Sequence, residues 1–378
     1  MSGSLQHPLG SVRRNVTVTV TPHSTPDPYI HEAHGRYYLT FTAGDRVEIW
    51  TSDNPVDFKH PGVNKTVIWK PQPGSDWSEG VWAPELHAIN GRWYVYVAAA
   101  QPGQGNRSHR MIVLGGPSTQ QEPTSGHWEL FGPIRNMPTQ QWSIDGTVFW
   151  IDNALYYVYS GWPLDGRPES EKTQQLFIAR MHDAISADSP PSLISSPDNP
   201  WERSGDAGIN EGPQWLADPR GSFIGIVYSC AGSWTRDYKL GVLQYRGGDP
   251  LNPHSWHKWH QPLLQSVGDQ AHCHGPGHCS FIPFGQQLVV IFHATDNPTD
   301  GWENRKARAQ LLEFRDSLPD MGGHVGTMCE SLHGDQPMPS GPGGPGPSGT
   351  PGGGHHGLKE KIEEKVKEPL KKFLNELK

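Results

Sequence analysis

The stretch Pro26-Asp27-Pro28-Tyr29-Ile30, followed by Gly35-Arg36-Tyr37-Tyr38-Leu39-Thr40-Phe41, introduces a pattern that the chain repeats. In each copy, a short segment with one polar residue precedes a strand-like segment rich in aromatic or aliphatic residues. The copies recur at intervals of roughly 60 residues, which is the mark of one repeated structural unit. The polar residues of the five copies are Asp27, Glu85, Asp145, Glu211 and His278.

Each interval has room for four short strands and their turns. Four-stranded sheets that repeat around an axis are the blades of a β-propeller. The repeat therefore predicts an all-β fold, a five-bladed β-propeller that spans residues 16–318. In this arrangement the first strand of each blade lines the central channel, so the five polar residues should converge near the axis.

The composition fits this fold and argues against some functions. Only 34% of the 378 residues are hydrophobic, yet the chain has 15 Trp, 44 Gly and 36 Pro. Aromatic residues pack well on pleated sheets, and Gly and Pro suit many short turns. The net charge is −8 and no basic patch stands out, so we expect no nucleic-acid partner.

The end of the chain differs from the body. Residues 330–357 read as a linker, because its central part contains only Gly, Pro, Ser and Thr. Residues 358–378 carry apolar side chains at spacings of three and four, which predicts a short amphipathic helix that Pro369 should interrupt. We interpret this helix as a solvated element. A helix that contacts a membrane surface or a partner stays the alternative.

Signals for the compartment point in two directions. No signal peptide is visible in residues 1–14, and no apolar stretch is long enough to span a membrane. Three Asn-x-Ser/Thr sequons begin at Asn15, Asn64 and Asn106. The chain has four Cys residues, which leave one or two disulfides open. Together with the class of substrate inferred below, the sequons favour an extracellular protein.

Three of the repeated polar residues are acids in otherwise apolar segments, and burying a carboxylate is costly unless it is paired or used. Cleavage of a glycosidic bond needs one carboxyl group as a proton donor and a second as nucleophile or base. Asp27 lies between two prolines that hold a short carboxylate rigidly, which suits a base. The longer Glu211 suits the proton donor, and Asp145 would raise the pKa of that donor. The sequence alone does not exclude exchanged roles.

At these residues the chain resembles glycoside hydrolase family 43 over most of its body. The resemblance implies a five-bladed propeller and an inverting mechanism without a required cofactor. It also implies Asp27 as general base, Glu211 as general acid and Asp145 as the pKa modulator. The matching motifs are Pro26-Asp27-Pro28-Tyr29, Trp82-Ala83-Pro84-Glu85-Leu86-His87, Ser143-Ile144-Asp145-Gly146-Thr147-Val148, Asn210-Glu211-Gly212-Pro213, Gly275-Pro276-Gly277-His278 and Arg308-Ala309-Gln310.

The resemblance also suggests a substrate. The segments 82–97, 141–162, 226–238 and 274–281 look most like those of α-L-arabinofuranosidases, including enzymes that release terminal arabinose from α-1,5-linked arabinan. An arabinose-containing polysaccharide or oligosaccharide is therefore the expected partner. β-Xylosidases and arabinan endo-hydrolases share the catalytic motifs. A non-catalytic sugar-binding propeller and an interaction scaffold are the alternatives outside the enzyme class.

Four further residues follow from the resemblance. Trp82 looks like a wall of the sugar pocket, although a core position fits it equally well. Arg308 resembles an arginine near the terminal sugar, whose fork could bind hydroxyl groups or the base. His278 resembles a histidine that binds substrate or approaches a non-catalytic, calcium-like ion on the propeller axis. Glu85 is read as structural or sugar-binding. Cys273 and Cys279, which flank His278, depart from the family pattern.

Overall fold

Strands make up almost all the regular structure. The computed structural model describes residues 15–166, 171–268, 272–284 and 287–334. Within these ranges the helical segments are single 3-10 turns, at Asn106–Ser108, Pro200–Glu202 and Pro253–Ser255. The prediction of an all-β chain is confirmed. The predicted helix and the linker from residue 335 onward lie outside the described residues.

The strands form five successive antiparallel units, which we number in chain order. Unit 1 contains β2 (Tyr29–Ala33), β3 (Arg36–Thr40), β4 (Val47–Ser52) and β5 (Asn64–Trp69). Unit 2 contains β6 (Glu79–Ile89), β7 (Arg92–Ala100), β8 (Arg110–Ser118) and β9 (Glu129–Pro133). Unit 3 contains β10 (Ser143–Ile151), β11 (Ala154–Gly161), β12 (Thr173–Asp183), β13 (Ser186–Ala187) and β14 (Ser192–Ser195).

Unit 4 contains β15 (Arg203–Ser204), β16 (Ala207–Ala217), β17 (Ile224–Cys230), β18 (Lys239–Tyr245), β19 (Trp256–Lys258) and β20 (Leu264–Gln265). Unit 5 contains β21 (His274–Phe284), β22 (Gln287–Thr295), β23 (Lys306–Arg315) and β24 (Leu318–Asp320). The first described strand, β1 (Val16–Thr19), pairs antiparallel with β23, so the two ends of the folded body meet in unit 5. Two short strands, β25 (Gly323–His324) and β26 (Thr327–Cys329), pair with β20 and β1.

The first long strands of the units lie side by side in a ring. Strand β2 contacts β6 and β21, β10 contacts β6 and β16, and β16 contacts β21. Five buried apolar clusters lie between neighbouring units, including one between units 5 and 1. In the described residues the ladders themselves form open sheets, not one sheet closed on itself. Apart from the short parallel pairing of β12 with β16, which joins units 3 and 4, packing between the units holds the body together.

A strained backbone position recurs at the start of each unit. The φ angle is positive at Asp27 (58°), Ala83 (46°), Asp145 (54°), Gly212 (51°) and His278 (47°). In units 2 to 5 the pairing register shifts at these positions, which marks a β-bulge. A bulge re-aims side chains and is common beside active sites. The local backbone thus directs one residue of each unit inward.

The bulge corrects one part of the sequence interpretation. Glu211 precedes the bulged residue of unit 4 by one position, and Glu85 follows that of unit 2 by two. The prediction that the five polar residues share one repeat position is therefore wrong for these two. What repeats is the backbone conformation, and the polar side chain occupies different positions around it.

The four cysteines also differ from expectation. Cys230, Cys273, Cys279 and Cys329 are all buried and free. The disulfides that the sequence left open are therefore not formed. These thiols pack as small apolar groups in the core. Among the described residues, no helix is long and apolar enough to cross a membrane.

Candidate active site

The inward-directed residues meet at one cavity of about 270 Å³. Asp27, Asp145 and Glu211 all line it, together with His278 and Arg305. These residues come from units 1, 3, 4 and 5, so residues far apart in sequence meet at this cavity. A second cavity of similar volume lies between units 2 and 3, but no carboxylate is among its described lining residues. The chemistry therefore belongs to the first cavity.

Asp27 is surrounded by polar and cationic groups, and its backbone N–H donates to Nδ1 of His293 at 3.0 Å. The hydroxyl of Thr42 donates to its Oδ2 at 2.7 Å. Its Oδ1 lies 3.3 Å from Nδ1 of both His278 and His293, and 3.5 Å from Nη1 of Arg305. Burial would raise the pKa of Asp27, but Arg305 and the two histidines outweigh it and hold the pKa well below the usual range. Asp27 is thus a carboxylate at neutral pH.

Glu211 has the opposite character. Burial raises its pKa, the Tyr238 hydroxyl opposes this by donating a 2.7 Å hydrogen bond to Oε1, and the charge on Asp27 raises the pKa further. The net direction is upward, toward a protonated carboxyl group. A negative group and a proton donor therefore line the same cavity, which is the arrangement that acid–base catalysis requires.

Asp145 lines the same cavity. The backbone N–H of Gly212 donates to its Oδ2 at 3.0 Å. Burial raises the pKa of Asp145, His278 opposes this, and the charges on Glu211 and Asp27 raise it again. Because Gly212 follows Glu211 directly, this hydrogen bond also fixes the backbone that carries Glu211.

Two further predicted residues, Trp82 and His278, also lie at the cavity. Trp82 lines the cavity, and so does His278, whose Nδ1 faces Asp27 and, at 4.0 Å, Asp145. Among the described residues, no group of three or more His, Cys, Asp or Glu side chains is arranged to hold a metal ion. The axial ion therefore stays a prediction.

Arg308 requires a correction. Its side chain is buried on β23, where the guanidinium donates to Thr19 and Asp296, and it does not line the cavity. Arg305, three residues earlier, lines the cavity and faces Asp27. The sequence interpretation missed Arg305 because it lies in the loop before β23, where no periodic pattern marks it. The carbonyl of Arg305 accepts a hydrogen bond from the backbone N–H of Thr25, and its Nε donates to the carbonyl of Trp302.

Glu85 lies outside this set of carboxylates. It is buried and does not line the cavity, and Gln214 donates to its Oε1. Its Oε2 is 2.8 Å from Nε2 of His87. Burial raises the pKa of Glu85 to about 8, so at neutral pH it is a neutral acid that joins units 2 and 4. These contacts favour the structural interpretation over sugar binding.

Tryptophan side chains form the walls of the cavity. Trp142 stacks on Trp162 with ring centroids 4.8 Å apart, and Trp234 meets Trp302 edge to face at 5.8 Å. Trp82, Trp142, Trp234 and Trp302 all line the cavity. Flat aromatic faces beside a few polar groups are suited to a small polyhydroxylated ligand.

Comparisons with known proteins agree with this geometry. The family described as "Glycosyl hydrolases family 43" matches residues 16–319. An extracellular exo-α-(1→5)-L-arabinofuranosidase from Streptomyces chartreusis is 32% identical over 273 residues, which cover 71% of this chain and 79% of that protein. Alpha-L-arabinofuranosidase 43 from Humicola insolens is 33% identical over 78% of this chain, which spans only 61% of the Humicola protein.

A solved structure is similar over the same region. The crystal structure of an α-L-arabinofuranosidase from Lactobacillus brevis superposes with a TM-score of 0.71 at 26% sequence identity. The match covers 80% of this chain and 96% of that one. Sequence and structure thus point to one family.

Proposed function

The chain belongs to glycoside hydrolase family 43, and from this membership we propose that it releases terminal α-L-arabinofuranose from arabinan or arabinoxylan-type chains with inversion. The observation that carries the proposal is that Asp27, whose pKa is lowered, and Glu211, whose pKa is raised, line one cavity. Two carboxyl groups held in different protonation states are what glycoside hydrolysis uses.

We assign the steps as follows. Glu211 donates its proton to the glycosidic oxygen as the bond to the anomeric carbon breaks. Asp27 accepts a proton from a water molecule, and the oxygen of that water attacks the anomeric carbon from the opposite face. Arg305, His278 and His293 keep Asp27 ionised for this role. Asp145 holds the backbone that carries Glu211 through the hydrogen bond from Gly212, and its carboxyl group, which interacts with that of Glu211, is the proposed pKa modulator.

We also propose that the five units form the five blades of a β-propeller. The ring of contacts among β2, β6, β10, β16 and β21 supports this arrangement, as do the apolar clusters between each neighbouring pair of units. The pairing of β1 with β23 would join the first and last blades. The catalytic carboxylates then lie at one end of the central channel.

The choice of sugar and of compartment rests on the relatives. The Streptomyces chartreusis and Humicola insolens proteins are both named as α-L-arabinofuranosidases, and the first is named extracellular. We propose an arabinose-containing substrate and an extracellular location for this chain as well. The sequons at Asn15, Asn64 and Asn106 are consistent with secretion.

The test compares hydrolysis of 4-nitrophenyl α-L-arabinofuranoside and 4-nitrophenyl β-D-xyloside. We expect the wild type to prefer the arabinoside and Asp27→Asn to lower kcat at least about a thousandfold. Glu211→Gln should lower kcat on this glycoside by a smaller factor, because 4-nitrophenolate leaves with little need for a proton. The exposed acids Asp76 and Glu330 provide matched controls as Asp76→Asn and Glu330→Gln, which should behave as wild type.

Proton NMR of the first sugar released tests the stereochemistry. Inversion requires β-L-arabinofuranose as the initial product from the α-linked substrate. A dominant xyloside activity would overturn the substrate, and an initial α-anomer would overturn the assignment of Asp27 as base. Absence of hydrolysis of either glycoside and of arabinan would overturn the enzymatic function.

A further inference from the structure

One wall of the cavity depends on a histidine that does not line it. Trp82 and Asn106 belong to the wall, and they come from β6 and from the 3-10 turn before β8. His109 lies between these two elements and is 2% exposed. Its ring stacks on Trp82 with centroids 3.8 Å apart and an interplanar angle of 22°. A buried ring in this place controls where the Trp82 face lies.

Both ring nitrogens of His109 are directed at main-chain carbonyls. Nδ1 is 2.9 Å from the Asn106 oxygen and Nε2 is 3.0 Å from the Gly80 oxygen. Carbonyl oxygens only accept, so each nitrogen serves as a donor when it carries a proton. The ring therefore connects β6, two residues before Trp82, with the turn that begins at Asn106.

The connection continues to a second tryptophan. The Oδ1 atom of Asn106 accepts a 3.2 Å hydrogen bond from Nε1 of Trp142, which also lines the cavity. The carbonyl of His109 accepts from the backbone N–H of Ser143 at 3.3 Å. The His109 ring thus contacts Trp82 directly, and it reaches Trp142 through Asn106.

Gly80 shows how closely the ring is packed. A Cβ atom at this position would lie 2.5 Å from Nε2 of His109, closer than side chains tolerate. The φ angle of Gly80 is +54°, in the left-handed region that favours glycine. The backbone of β6 therefore approaches the imidazole directly, and a side chain at position 80 would push against the ring.

We propose that His109 is a positioning residue, which holds in place the sugar-binding wall formed by Trp82, Asn106 and Trp142. The position of this wall determines the affinity for the glycone, and this inference rests on the proposed function. His109 contacts no catalytic carboxylate in the described structure, so it acts on binding in ground state and transition state alike. Such an interaction changes KM and leaves kcat nearly constant.

The variants separate the ring from its hydrogen bonds. His109→Phe keeps a flat ring but removes the N–H donor of the imidazole, and it should raise KM for 4-nitrophenyl α-L-arabinofuranoside about fivefold with kcat within about twofold of wild type. His109→Gln keeps one donor for the Gly80 carbonyl and should raise KM only about twofold. His127 is an exposed histidine in the β8–β9 connection, and His127→Phe is the matched control.

Gly80→Ala tests the same contact with His109 intact. It should raise KM as His109→Phe does. The KM of the double variant should not exceed the higher of the two single-variant KM values, because both substitutions act through one ring. Far-UV circular dichroism and Tm confirm that each variant is folded. An unchanged KM in folded His109→Phe, or a fall in kcat alone, overturns the proposal.

The crystal structure of Gly80→Ala gives a result that does not depend on activity. Displacement of the Trp82 ring relative to wild type supports the proposal, and an unmoved ring overturns it. If wild type cleaves neither glycoside, the proposed function fails, while this structure still decides whether His109 positions the wall.

Discussion

The hydroxyl of Tyr238 donates a 2.7 Å hydrogen bond to Oε1 of Glu211. This bond favours the charged form of Glu211 and so lowers a pKa that burial raises. Tyr238→Phe should therefore raise the pKa of Glu211, and the alkaline limb of kcat/KM should move up by roughly half to one pH unit. The measurement is the pH dependence of arabinoside hydrolysis. Tyr245→Phe, which loses a hydroxyl on β18 that donates to Gly248, is the control and should leave the limb in place.

The wild-type pH profile follows from the two opposite shifts. Glu211, the proposed proton donor, has a pKa raised to about 7, so activity should fall as the pH rises above that value. Asp27, the proposed base, has a lowered pKa and stays ionised through the mildly acidic range. We expect kcat/KM to be nearly constant at mildly acidic pH and to decline above about pH 7. A profile that stays flat to about pH 9 would contradict the assignment of Glu211 as the acid.

Much of this site could be predicted from the sequence, because catalytic acids in separate copies of one repeat must converge if the copies surround an axis. Asp27, Asp145 and Glu211 do line one cavity. The position of each acid relative to the bulge could not be predicted, because the bulge is a feature of the backbone conformation. In unit 4 the bulge falls on Gly212, one residue after the acid.

Loop residues were harder to predict. Arg305 and His109 act through distances to groups on other elements, and neither lies in a periodic pattern. Arg308 stood in a recognisable motif, but its strand directs it toward Thr19 and Asp296. A motif identifies the strand, whereas the packing of neighbouring elements decides which arginine reaches the cavity.

The two arginines should respond differently to the same substitution. Arg305→Met removes the largest charge that lowers the pKa of Asp27, so the acidic limb of kcat/KM should move to higher pH and kcat should fall. Arg308→Met should leave kinetics near wild type but lower the free energy of unfolding by about 1–3 kcal/mol, because buried hydrogen bonds to Thr19 and Asp296 are lost. Kinetic pH profiles and urea unfolding of both variants provide the comparison. Loss of activity in folded Arg308→Met would instead support the sequence-based prediction that Arg308 lies near the sugar.

Glu85 should affect the pH dependence of stability. Its folded pKa of about 8 lies above the unfolded value, so the folded protein binds the extra proton and stability falls as the pH rises toward 8. Glu85→Gln has nearly the same shape, can hydrogen bond to both Gln214 and His87, and cannot ionise. We expect its Tm to match wild type near pH 5 and to exceed it near pH 9, as differential scanning calorimetry would measure. Equal Tm values at both pH values would mean that Glu85 is not held neutral.

The leaving group offers the sharpest test of Glu211. A general acid matters most when the departing oxygen is basic, and little when the departing phenolate is stable without a proton. Glu211→Gln should therefore lose at least about a thousandfold in kcat on arabinan oligosaccharides but much less on 2,4-dinitrophenyl α-L-arabinofuranoside. Asp27→Asn should lose activity on both substrates to a similar extent, because activation of water does not depend on the leaving group. If the two variants show the same dependence on the leaving group, the roles assigned to these carboxylates cannot both be correct, and an exchange of acid and base becomes the better account.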